Sequence, residues 1–245
     1  MIAERLLDLT DCVFAAEQSV RRARESVEDL RELTRSAMRV LDEAETEAAQ
    51  ADTAESDPDG RHLEAVADQL NRLTNRCTTI GEISVELREH LEQATAALER
   101  AGRLIDELGG AINPQSAQTL AQLAPRLAVV SDMVDVARPM SRALSHNIAS
   151  ARTASQGLTL AALAGPATVD PRQVGASLRS AGQYLHRADE DAQLAETVLD
   201  RASASSRQTG RVAGDLADHA RQSPQEQQRW SPAASTPRGS AGPGR

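Results

Sequence analysis

Hydrophobic residues recur along this chain at alternating steps of three and four, from Leu6 to Ala220, with only three short breaks. Written as heptads abcdefg with a and d on the core seam, the stepping runs from Leu6 to Ala51 and from Leu63 to Leu108. It resumes from Leu120 to Ala162 and from Val174 to Ala220. These segments hold 55 a and d positions, none of them charged, where a chain-wide charged fraction of 26% would put about 14 charges. A stripe so free of charge predicts continuous helical packing. Its six polar members, Thr34, Ser84, Ser141, Ser155, Ser206 and Thr209, are all hydroxyl residues. A helix satisfies such groups on the carbonyls of its own preceding turn.

The neighbouring positions decide between a two-stranded seam and a bundle. The g column adds Cys12, Leu33, Val40, Ile83, Leu104, Met133, Met140, Tyr184, Val198 and Val212 to the stripe. The e column is charged or small instead, with Glu17, Arg24, Arg31, Arg88, Arg138, Arg152, Asp189 and Glu196. An apolar face of a, d and g is wider than one neighbour covers, so each helix needs two. Abundant core alanine lets those neighbours come close. The breaks carry turn and capping residues: Ser56-Asp57-Pro58-Asp59-Gly60, then Gly109-Gly110 with Asn113-Pro114, then Gly165-Pro166 with Asp170-Pro171. Connections this short join antiparallel neighbours. Each helix would be roughly 70 Å long at 1.5 Å per residue. The expected fold is an all-α, elongated antiparallel four-helix bundle with coiled-coil-like packing. Residues 1–110 form an acidic first hairpin, 111–221 a second hairpin packed on it, and 222–245 a disordered tail. Pro125 and Pro139 fall at f positions of the third segment, so kinks there would open toward solvent.

Composition changes this picture little. The chain has one Phe, one Tyr and one Trp, which leaves no aromatic-rich pocket. All 27 basic residues are arginine. The longest apolar run, Leu158 to Ala164, is too short to span a bilayer, and the N-terminus enters an amphipathic helix at once. The cytoplasm is the expected location, and a membrane role is not. Cys12 and Cys77 lie far apart along a hairpin turning near residue 57, so no disulfide joins them. Charge is uneven: residues 1–110 hold 13 Arg against 25 acids, residues 111–221 hold 11 against 10, and residues 222–245 hold 3 against 1. The acidic first half argues against wrapping nucleic acid there.

The chemistry-bearing residues do not converge. Glu55-Ser56-Asp57-Pro58-Asp59-Gly60 imitates the opening of an EF-hand loop, but Val66 stands where the bidentate Glu belongs. The histidines fall at g (His90, His219), b (His186), f (His146) and the start of segment two (His62). No a or d position carries Glu, Asp or His, which leaves no buried di-metal box in this register. Phosphate loops, paired-cysteine motifs and nucleophile elbows are absent from the sequence. No cofactor or metal is implied, and an enzyme is not expected.

Two surfaces invite a partner. Leu160 and Leu163, at f and b near the second hairpin tip, face outward and mark one candidate contact. Trp230, alone in a tail of Gln, Ser, Pro, Gly and Arg, marks the other. The expected function is that of a non-enzymatic cytoplasmic scaffold or adaptor that binds a protein partner through helix faces, with self-association among its modes. The competing class is a nucleic-acid-associated protein using residues 111–245.

Overall fold

The computed structural model describes residues 2–51, 61–109, 114–163 and 171–222. Side chains at several helix ends, including 158–163, 171–173 and 219–222, fall outside that description. Among the described residues the chain forms four helices and no strand: α1 (Ile2–Ala51), α2 (Arg61–Leu108), α3 (Pro114–Leu163) and α4 (Pro171–Gln222). Both α3 and α4 begin at a proline, where the missing amide costs no hydrogen bond and the fixed φ suits the first turn. At the end of α2 the Gly109 amide donates to the Ile105 carbonyl at 3.0 Å. The acid run ends outside the description, since residues 52–60, with the capping and EF-hand-like residues, lie beyond it.

The helices pack as an antiparallel bundle in which α1 lies on α2 and α4, and α3 on α4 and α2. Contacts along the first hairpin keep one register: Arg5 meets Glu107 at 3.3 Å, Arg76 donates to Ser36, and His62 meets Glu47 at 2.8 Å. The closing pair runs antiparallel too, with Thr10 of α1 donating to the Ala213 carbonyl of α4 at 3.2 Å.

The core is the predicted stripe. Of its 55 positions 50 have described side chains, and 48 of those are buried; Ala48 and Ile105 are half-buried against the same cluster. The six hydroxyl members are satisfied within their own helices. Thr34, Ser84 and Thr209 donate to carbonyls four residues back, at 2.7, 2.8 and 2.8 Å. Ser141, Ser155 and Ser206 donate three residues back, at 2.8, 2.8 and 3.0 Å. No buried hydroxyl of the stripe is orphaned, so the six polar members are buried without an unmade hydrogen bond.

The flanking columns divide the work of the four seams. The g column sits inside the two hairpins, where Leu33, Ile83, Leu104, Met133, Met140, Tyr184, Val198 and Val212 pack against the core. The e column lines the seams between hairpins. At α1–α4 it carries opposite charges, joined by Arg35 and Asp200 of the b column: Arg31 donates to Glu196, Arg24 donates to Asp200, and Arg35 lies 3.6 Å from Asp189. Two glycines bracket these pairs. A Cβ on Gly182 would stand 2.9 Å from Leu41 Cδ2, and one on Gly210 would strike Glu17 Oε2. The Leu41 and Glu17 side chains therefore fill the space that a Cβ would take. At α2–α3 the e column is Thr74, Gly81, Arg88, Thr95 and Gly102 facing Ser131, Arg138, Ser145 and Arg152. Arginine stands on both sides, and a Cβ on Gly81 or Gly102 would meet nothing within 4 Å. One inter-hairpin seam is tight and charge-matched, and the other is slack.

Candidate interaction face on the third helix

The titratable side chains serve the packing. Both cysteines are free and buried. Burial pushes the Cys77 thiol up to about 11, with Arg152 pulling weakly the other way. Cys12 is also raised by burial; Arg100 and Arg103 oppose this while Asp8 and Asp11 add to it. Raised thiols of this kind are poor nucleophiles at neutral pH. In the second hairpin Asn147 Nδ2 donates to Asp191 Oδ2 at 2.9 Å, joining two g positions. Burial holds the Asp191 carboxyl above its usual range, the Asn147 bond draws it down, and Glu190 raises it further.

The Arg31–Asp189 contact is electrostatic only. Its atoms are 4.0 Å apart, and neither Arg31 Nε nor Asp189 Oδ1 has a hydrogen-bond partner. Among the described residues no three His, Cys, Asp or Glu side chains group as metal ligands. Surface grooves are shallow and charged; one, lined by Glu28, Arg31, Arg35, Arg39 and Glu196, is the α1–α4 ion cluster itself. No described helix is long and apolar enough to cross a membrane.

The sequence-based partner contacts fall at the margin of the structure. Leu160 and Leu163 lie in the last turns of α3, but their side chains are outside the described set, and Trp230 lies outside the described residues altogether. Among the described residues, attention falls on the middle of α3.

Helix α3 carries six charged residues in 50, against 19 in α1, 15 in α2 and 14 in α4. The deficit is on its outer face. The c column there reads Gln122, Val129, Val136, Ala143, Ser150, and Val129 and Val136 are 44% and 48% exposed. Exposed Ala121, Ala128 and Ala149 stand beside it at b, and exposed Pro125 and Pro139 at f. Other exposed large hydrophobics, Phe14, Val85 and Leu194, stand singly on more highly charged helices. Isolated apolar residues need no explanation, whereas a row of them on one face does.

The two prolines sharpen the point. Each removes an amide from the interior of an exposed helix, at a cost of about 3 kcal/mol, and leaves the carbonyl four residues back without its donor. Nothing in the bundle requires them. The signal that would have found this face in the sequence is the scarcity of charge at b, c and f of one segment.

A single-chain four-helix bundle with one low-charge outer face is the class of object these observations define. No family model, curated protein or solved structure matches the chain.

Proposed function

We propose that this protein is a non-enzymatic, cytoplasmic helical scaffold that docks a protein partner on the outer face of α3. The observation carrying this reading is the contrast between that face and the rest of the surface. The other three helices are dense in charge, as solvated helix faces are, while α3 exposes Val129, Val136 and the alanines Ala121, Ala128 and Ala149. Small residues let a partner helix come close, and a rigid bundle of long helices holds such a face in a fixed direction.

The test is site-specific photo-crosslinking in cells, with the crosslinking residue at Val129 and, as controls, at Phe14 and Leu194. Discrete adducts are expected from Val129 alone. Equal labelling from all three positions, or none from Val129, would sink the reading. A low-salt electrophoretic shift of duplex DNA by the purified protein would replace it with the nucleic-acid class.

A further inference from the structure

We infer that the occupant of the α3 face is a second copy of this chain, with the two α3 helices antiparallel across a two-fold axis through Val136. The inference rests on the docking reading above and adds the identity of the partner.

A face that pairs with itself about a two-fold must be complementary to its own reversal. The c column of α3 meets that condition. With Val136 on the axis, Val136 faces its own symmetry copy and Val129 faces Ala143, while Gln122 faces Ser150 at each end. The contact is then apolar at its centre and hydrogen-bonding at its rims, as specific interfaces are.

The charges make the stronger case, because they are few and their order is directional. The outward columns carry Asp132, Asp135 and Arg142, with Arg138 half-exposed at the edge and 3.4 Å from Asp135. Both acids precede Val136 and both arginines follow it. In the antiparallel register Asp132 at f comes level with Met140 of the second copy, two residues or about 3 Å along the axis from Arg142 at b, a gap the long arginine side chain spans, twice by symmetry. A parallel pairing would set Asp132 on Asp132 and Arg142 on Arg142. The polarity of the charges thus selects one orientation, and the heptad column c selects a register within two residues of the one the charges favour. With the same two-residue offset Ala128 lies nearest His146 and Pro125 nearest Ala149, so no like-charged pair obstructs the approach. None of these side chains is needed by the bundle's own core.

Sedimentation equilibrium of the full-length protein at about 100 µM is the experiment, a concentration at which an interface at the low end of the standard size is populated. The wild type is expected to be a dimer and Val136→Glu a monomer at the same concentration, with unchanged helicity. Asp132→Arg is expected to weaken dimerisation at least tenfold. The double variant Asp132→Arg/Arg142→Asp is expected to recover most of that loss, because a two-fold contact is inverted in both copies at once. Val136→Cys is expected to form an inter-chain disulfide on mild oxidation, while Val85→Cys does not.

A wild-type monomer at this concentration overturns the inference, as does a dimer indifferent to Val136→Glu or an absence of rescue in the double variant. The two readings fail separately. Crosslinks from Val129 to a different protein, with the purified chain monomeric, leave the docking face standing and remove the second copy. No crosslink at all removes both.

Discussion

Alanine substitutions at glycines on the two inter-hairpin seams test the claim that α1–α4 is tight and α2–α3 is slack. Each glycine sits in a helix interior, where Ala is favoured over Gly by about 1 kcal/mol. At Gly81 and Gly102 of α2 a Cβ would meet nothing within 4 Å, so that gain is expected almost whole. At Gly182 of α4 the Cβ would stand 2.9 Å from Leu41 Cδ2, well inside ordinary contact, and Leu41 is only 4% exposed. Its methyl must move within a packed layer or the helices must part, and overpacking of that kind costs roughly 1–3 kcal/mol. The cost equals or exceeds the helical gain, so Gly182→Ala is expected between neutral and about 2 kcal/mol destabilising. Urea unfolding followed by far-UV circular dichroism separates the cases. In a chain of this size each kcal/mol moves the thermal midpoint by about 2–4 °C. The double variant Gly182→Ala/Leu41→Ala isolates the cause, since without the Leu41 methyls the glycine substitution becomes stabilising. A Gly182→Ala gain equal to that of Gly81→Ala would refute the close packing of Leu41 on Gly182.

Further outcomes follow from single side chains. Cys77, with its thiol held near 11 by burial, is expected to resist a thiol reagent at neutral pH in the native protein and to react at once in denaturant; fast native labelling would contradict its burial. Asp191 binds its proton more tightly folded than unfolded, so its contribution to stability falls as pH rises from the ordinary carboxylate value through the raised one. Asp191→Asn keeps an acceptor for Asn147 and removes the desolvated charge, so it is expected to raise the melting temperature at neutral pH and flatten the dependence in that window. Arg31→Met is expected to cost about 1 kcal/mol at low salt and less in high salt, because its partners Glu196 and Asp189 are partly solvated. Leu144→Ala, at a fully buried position, is expected to cost about 2–5 kcal/mol in the same urea assay.

The fold was legible because its signal is periodic and redundant. Misplacing one residue of the a/d stripe would leave the rest in register, and Pro114 and Pro171 mark two helix starts without ambiguity. The hydroxyl exceptions were legible too, since a helix offers Thr34 or Ser84 a carbonyl wherever it sits. The pairing of the e columns was not. Arg31 and Glu196 are 165 positions apart, and only the order of helices around the bundle sets them together. The α3 face escaped for a different reason. Reading leucines at Leu160 and Leu163 looks for an added apolar residue, whereas the outer face of α3 is distinguished by carrying fewer charges than those of the other three helices. Absence shows only when four helices of one bundle are compared.

The contact of Thr10 with the Ala213 carbonyl has a mechanical consequence. It places the first turns of α1 and the last turns of α4 at the same end of the rod. A load applied through those two helices does not stretch the bundle along its length. It peels one helix from the other, parting Thr10 from Ala213, then Arg24 from Asp200, then Arg31 from Glu196, one contact at a time. Such a rod yields in tension at small forces and resists bending across its width.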